Sequence, residues 1–268
     1  MSKLIQVDKK QLQTFRTLFV VGDLHGDYEA LQAALNKVDL AKDGIIFLGD
    51  YADRGSSGIE VISAVGSLKR KHPRNVFALK GNHEDYTEFG QPEFWPCTLI
   101  DEAQKKGKEW QPYFQNTFKP FIKSLPIAII ASGETLFVHG GVSTKIKNIR
   151  DLMYPERDIE LDIIWSDPYE GEGECPNLER GGAGVAFGQD VTESICSLFG
   201  VKRIVRSHQP AKAFTGPFYS HNRKVITISS TSVYGGQPFL LNMNPIDPEM
   251  LSFTNLNPPT REYREIKR

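Results

Sequence analysis

Five short motifs concentrate side chains that bind hard or borderline metal ions: GDLHG at 22–26, GDYADRG at 49–55, GNHE at 81–84, HGG at 139–141 and RSHQ at 206–209. Each offers an Asp, Asn or His, the oxygen and nitrogen donors suited to Zn²⁺, Fe and Mn²⁺. Flanking glycines let the backbone turn sharply and approach a site closely. Four of the six histidines, His25, His83, His139 and His208, fall inside these motifs. Singly, each motif reads as an ordinary turn or a satisfied core imidazole. Together they read as a metal centre, because three of them recur about 30 residues apart, the length of a β-α-β unit.

The elements that must position these groups are legible as apolar runs. Strands are expected at 17–22, 44–49 and 75–80, with helical stretches between them: Leu31, Ala34, Leu35 and Val38 share one stripe, and Ile59, Ile62, Val65 and Leu68 another. Basic residues in KRKHP suit the end of the second helix. Open α/β sheets bind ligands beyond the carboxyl ends of their strands, so the motifs should meet in space. Residues 87–125 read as helices and loops capping the sheet edge, and 126–131 with 135–139 as paired strands joined by Ser-Gly-Glu. The stretch 150–185 reads as loop-rich. Further strands are expected at 203–206, 224–229, 237–242 and 249–254, followed by an exposed tail at 256–268.

Composition narrows the class. The 268 residues, 40% hydrophobic and 24% charged, suit one large α/β domain. With 32 basic and 33 acidic residues the net charge is −1, which gives no global field toward nucleic acid or anionic membrane. Cys97, Cys175 and Cys196 lack CxxC spacing and read as reduced core thiols of a cytoplasmic protein. No run of about 18 apolar residues and no apolar leader segment is present, so neither a spanning helix nor a signal peptide is expected. His72 and His221, in basic surroundings, read as solvated surface residues.

The order GDLHG, GDYADRG, GNHE, HGG, WSDP, RSHQ resembles the PPP-family serine/threonine protein phosphatases, within the calcineurin-like metallophosphoesterases, over roughly residues 17–255. The resemblance implies an α/β fold, a central β-sandwich of two mixed sheets flanked by helices, and two divalent metal ions, manganese in vitro with iron and zinc as alternatives. It implies that Asp23 and His25 hold one ion, that Asp50 bridges both, and that Asn82, His139 and His208 hold the second. Two cations about 3.5–4 Å apart lower the pKa of a shared water and grip phosphate oxygens during in-line attack. No protein nucleophile is then required, in keeping with the lack of a GxSxG, Cys-based phosphatase or Walker A motif.

An alkoxide leaving group needs a proton, and His83 is the candidate acid. Asp53 resembles the family carboxylate that orients that imidazole; the alternative is that His83 is a further ligand and Asp53 a helix cap. Arg54 reads as a phosphate clamp through its bidentate fork. By resemblance Arg180 is the second clamp, Tyr234 overhangs the substrate, and Asn82 also contacts it. Departures from the family pattern are Asp27 where Gln or Cys is common, Val-Ser-Thr after HGG, and Val233 and Gly235 flanking Tyr234 in place of Asn and Cys. Asp167 of WSDP reads as a cleft residue or a turn and N-cap. Glu84, Arg206 and Gln209 read as groups that fix ligands.

Three functions follow. The first is a protein phosphatase acting on phosphoserine and phosphothreonine, with no nucleic-acid or membrane partner and with regulatory subunits unassigned. The second is a dinucleoside tetraphosphatase or other small-molecule phosphohydrolase, for which Phe94, Trp95, Trp110 and Tyr113 would stack a base unless they pack the core. The third is a non-catalytic binding scaffold, against which the intact ligands, clamp and acid argue. The first is favoured, with residues 1–268 as one catalytic domain.

Overall fold

The computed structural model describes residues 2–245, 247 and 249–256. The first segment runs β1 (Leu4–Val7), α1 (Lys9–Leu12), β2 (Leu18–Val21), α2 (Tyr28–Leu35), β3 (Gly44–Phe47), α3 (Gly58–Lys71) and β4 (Val76–Ala78). Strands β2, β3 and β4 pair in parallel, with Val20 opposite Ile46 and Ile46 opposite Phe77. Every residue of the three is buried, which is why they read as unbroken apolar runs. The expected β-α-β-α-β order is therefore present. Lys69, Arg70 and Lys71 close α3, where cations complement the helix dipole.

Next come α4 (Leu99–Lys105), α5 (Trp110–Tyr113), α6 (Lys119–Lys123), β5 (Ala128–Ala131) and β6 (Thr135–Val138). Leu99, Ala103, Phe114, Phe118 and Phe121 pack with α3 and with Val76 and Ala78 of β4, the edge strand of its sheet. Strands β5 and β6 form the expected antiparallel pair. The loop-rich reading of 150–185 is corrected in its first half, where α7 (Ile149–Met153) and α8 (Arg157–Trp165) bury Leu152, Ile159, Ile163 and Ile164. A small sheet follows, of β7 (Asp167–Pro168), β8 (Glu174–Pro176) and β9 (Val185–Phe187). The chain ends with α9 (Gln189–Phe199), β10 (Arg203–Arg206), β11 (Phe218–Ser220), β12 (Val225–Thr227), β13 (Phe239–Met243) and β14 (Leu251–Asn255). Elements β1, α1, α9, β11 and the small sheet of β7, β8 and β9 have no counterpart in the strands and helices expected from the sequence.

Two mixed sheets result, a six-stranded one in the order β1-β5-β6-β10-β12-β11 and a five-stranded one in the order β14-β13-β2-β3-β4. Alternation along each strand sorts side chains between layers. Val20 and Ile46 face Phe137, Val205 and Ile226 in the core between the sheets. Phe19, Val21, Ile45 and Phe47 point the other way, onto α2 and α3. On the far side, Leu136, Val138 and Ile204 pack with Ile163 and Ile195 of α8 and α9. This is the expected sandwich flanked by helices. The tail read at 256–268 lies outside the described residues except for Leu256, which is buried rather than exposed and donates its N–H to Pro238 O.

Candidate metal centre and active site

All five motifs begin at or just beyond the carboxyl ends of strands: β2, β3 and β4 lead into Asp23, Asp50 and Asn82, while β6 and β10 of the other sheet lead into His139 and His208. Ser207 stitches the two sets together. Its Oγ donates to Asp23 Oδ1 at 2.6 Å and accepts from Asp23 N–H at 2.8 Å. Five candidate residues, His25, Asp50, Asp53, Arg54 and His208, hold positive φ between 46° and 70°. Such conformations cost energy in non-glycine residues and gather where surrounding structure enforces them, often at active sites. Gly81 is required by close approach, since a Cβ there would lie 2.3 Å from Asp50 Oδ1.

Asp50 occupies the middle. Its Oδ2 lies 3.5 Å from His25 Nε2 and its Oδ1 3.4 Å from His139 Nε2. His25 and His139 each turn Nδ1 toward a backbone carbonyl, Ala52 O at 3.1 Å and Leu48 O at 3.0 Å. That bond fixes the tautomer and leaves Nε2 as a lone-pair donor facing the site. His139 Nε2 is 3.0 Å from Asn82 Oδ1 and 3.2 Å from His208 Nδ1. Two sets of ligand atoms, His25–Asp50–His83 and Asp50–His139–His208, each lie within 4.8 Å of one another. Asp23 falls in neither set, but its Oδ2 and His208 Nε2 are buried without a hydrogen-bond partner. Buried acceptors crowded together without donors between them are costly unless cations share them. The donor set therefore fits a pair of divalent ions.

Glu84 supports the bridge from behind: its Oε2 accepts from Asp50 N and Gly81 N, both at 2.9 Å, and its Oε1 from Tyr51 N at 3.0 Å. Burial, and next the Asp50 charge, push its carboxyl up to about 7. For His208, burial and then the Arg180 charge hold the imidazole well below its usual range, so it stays neutral and able to ligate.

His83 Nδ1 lies 2.8 Å from Asp53 Oδ2. Asp53 is fixed in turn through Oδ1, which accepts from Thr98 N at 2.5 Å and Leu99 N at 2.8 Å. Burial works against a charged His83, but the Asp50 charge and the Asp53 hydrogen bond outweigh it and raise its pKa. Phe94 packs on the ring at a centroid distance of 4.4 Å.

His25, Asp50, Asn82, His83 and His208 line a cleft of about 850 Å³ with Arg54, Arg180, Trp95, Lys212 and Tyr234. Arg180 donates through Nε to Asp167 Oδ2 at 2.8 Å and through Nη2 to His208 O at 2.9 Å. Tyr234 stands edge-on to His25 at 5.4 Å. Burial pushes its phenol up to about 12, so it remains a donor at neutral pH.

The family model for calcineurin-like phosphoesterases matches residues 16–212. The chain belongs to the calcineurin-like phosphoesterase family. A serine/threonine-protein phosphatase of Caenorhabditis elegans is 31% identical over 243 residues, 87% of this chain and 51% of that protein. The serine/threonine-protein phosphatase PP1-delta of the same organism is 30% identical over 234 residues, 82% of this chain and 72% of its own. Among solved structures, a protein serine/threonine phosphatase of Saccharomyces cerevisiae, described as similar to human phosphatase PP5, superposes with a TM-score of 0.79 at 25% identity. It covers 96% of this chain and 84% of its own. The chain thus spans about half the length of the first of these relatives.

Within this calcineurin-like phosphoesterase, His25, Asp50, Arg54, Asn82, His83, Arg180 and His208 line one cleft, while Asp23 and His139 lie buried behind them, against His208 and Asn82. Several readings need correction. Asp167 neither lines the cleft nor caps a helix: it is buried between Arg206 Nη2 and Arg180 Nε, each at 2.8 Å. His221 is buried, not solvated, with Nδ1 2.7 Å from Thr192 Oγ1 and Nε2 2.9 Å from Tyr169 O. Cys175 is exposed, so only two of the three thiols are at least partly buried. Of the four aromatics weighed for base stacking, Phe94, Tyr113 and Trp110 pack into the protein, while Trp95 is 88% exposed at the cleft wall. Ser207 and Asp27 lie in or beside the motifs without a task assigned from the sequence, and Thr98, 14 residues beyond GNHE, carries no sequence signal.

Proposed function

We propose that the chain is a metal-dependent serine/threonine protein phosphatase that hydrolyses phosphomonoesters of phosphoserine and phosphothreonine proteins by direct attack of water. The observation that carries this reading is the pair of donor sets sharing Asp50 beside the 2.8 Å His83–Asp53 pair. Asp23, His25 and Asp50 would hold one divalent ion, and Asp50, Asn82, His139 and His208 the other. Bound there, the ions supply an acidified water and charge stabilisation of the phosphate oxygens. Manganese is proposed for reconstitution, with iron and zinc as the alternative native metals.

The remaining work falls to the chain's own groups. Arg54 and Arg180 orient the phosphate by bidentate hydrogen bonding. Arg180 is already steered by Asp167, which fixes its fork at the cleft. Tyr234 donates its phenol from above, and Asn82 adds an amide contact. His83 holds its proton on Nε2 while Asp53 keeps Nδ1–H oriented, and delivers that proton to the departing alkoxide. The same constellation supports residues 1–268 as one catalytic domain. The three cysteines, all unpaired, favour a reducing compartment, and we place the protein in the cytoplasm on that ground. Among the described residues no helix is long and apolar enough to cross a membrane.

The test compares kcat/KM for a phosphothreonine peptide, a phosphotyrosine peptide and diadenosine tetraphosphate under the same Mn²⁺. Preference for the phosphothreonine peptide is expected. Preference for the dinucleotide would transfer the site to nucleotide chemistry, with Trp95 as the stacking surface.

A further inference from the structure

Asp27 links the loop that carries Asp23 and His25 to the turn that carries Tyr234. Its Oδ1 accepts from Ala30 N at 2.9 Å and so caps α2. Its Oδ2 accepts twice from one residue, Ser232 N at 2.8 Å and Ser232 Oγ at 2.6 Å. Ser232 opens a tight turn closed by Gly235 N–H on Ser232 O at 2.8 Å, and Gly235, at its last position, holds a positive φ of 82°. Tyr234 sits inside that turn and is 41% exposed over the cleft. Downstream, the next backbone anchor is Gln237 N–H on Phe214 O at 2.7 Å.

We propose that Asp27 is a positioning residue for substrate binding: its carboxylate tethers the Ser232–Gly235 turn to the metal-ligand loop and thereby sets where the Tyr234 phenol meets the phosphate. The proposal rests on the phosphatase reading. Only a carboxylate can do both tasks, because one oxygen is spent on the helix and the other must accept from an N–H and an O–H together. An amide at this position caps α2 equally well, since Asn and Asp are comparable N-caps. Its NH₂ group, however, would face the Ser232 N–H donor instead of accepting from it.

Asp27→Asn therefore separates the tether from the cap. With p-nitrophenyl phosphate and Mn²⁺, the variant is expected to raise KM by ~tenfold, the loss of one charge-assisted hydrogen bond's worth of orientation, with kcat changed less than about twofold. In a Tyr234→Ala background the same change is expected to have no further effect on KM, because coupled residues are non-additive. By hydrogen exchange, amides of residues 231–236 lose protection while those of α2 keep theirs. Unchanged KM with unchanged exchange in 231–236, or full additivity with Tyr234→Ala, overturns the proposal. Equal loss of protection in α2 reduces Asp27 to a helix cap and also overturns it. A wild-type protein inactive on every phosphomonoester would sink the phosphatase reading alone, and the exchange data would still decide the tether.

Discussion

Ser207 Oγ donates to Asp23 Oδ1 across 2.6 Å, joining the end of β10 in one sheet to the end of β2 in the other. The same hydroxyl accepts from Asp23 N–H, and His208 N–H adds a third contact to Asp23 Oδ1 at 3.1 Å. One oxygen of Asp23 is thus spent on holding the sheets in register, while the other is left for an ion. Replacing Ser207 by Ala leaves a buried N–H and carboxylate each short of a partner. A loss of ~1–3 kcal/mol is expected by urea unfolding, together with weaker Mn²⁺ binding by calorimetry. Wild-type values for both would show that the link is dispensable.

Removal of metal should act on stability and turnover together. Chelator-treated protein is expected to be inactive on p-nitrophenyl phosphate and to recover with added Mn²⁺. Its thermal midpoint should rise with Mn²⁺ concentration, because an ion bound only by the folded chain stabilises by mass action. Activity in the stripped protein without added metal would contradict the ligand assignment.

Changing His83, the proposed proton donor, is expected to leave metal binding intact. For His83→Asn, a fall in kcat of ~10²–10⁴ is expected, the range of general acid-base catalysis, with two metals per chain still found by elemental analysis. Loss of an ion in that variant would make His83 a ligand, as its place in the set with His25 and Asp50 allows. Asp50→Asn removes the group between both donor sets and should abolish turnover and lower metal content.

Acid stability should carry the signature of Asp167. Burial alone would raise its carboxyl, but the Arg206 charge and the Arg180 hydrogen bond and charge hold it well below the usual range. A carboxyl depressed on folding adds stability that is present above its unfolded value, near 3.9, and lost as pH falls through the folded value. Arg206 is fully buried, so Asp167→Asn strands a charge at a cost of ~3–5 kcal/mol near neutrality. In metal-free protein, the gap between wild type and variant should narrow steadily as pH drops below about 4. A constant gap from pH 5 to pH 2 would remove Asp167 from the account.

Trp95 allows a cleaner separation of stability from binding. At 88% exposure, Trp95→Ala should change unfolding free energy by no more than ~0.5 kcal/mol. Because Trp95 lines the cleft, the variant should raise KM for a phosphopeptide by a larger factor than it raises Ki for inorganic phosphate. Equal effects on both would place Trp95 outside substrate recognition.

What the sequence disclosed followed the physics of each element. Strands β2, β3 and β4 are buried on both faces, so their apolar runs were visible without context, and the motifs after them stood out as polar interruptions. Helix α8 was hidden because Asp158, Glu160 and Asp162 break up its apolar pattern. Asp162 is nonetheless buried, 2.9 Å from Lys145 Nζ, a partner that only the fold supplies. His221 misled for the same reason, since the basic residues around it face solvent while Thr192 and Tyr169 arrive from distant segments. Asp167 sat inside a recognised motif, yet its task depends on two arginines whose convergence no local spacing records.

The donors come from both sheets, and Asp23 and His208 are 185 positions apart. Strands β2, β3 and β4 alone therefore carry only part of the donor set, which is complete only where β6 and β10 of the other sheet stand beside them.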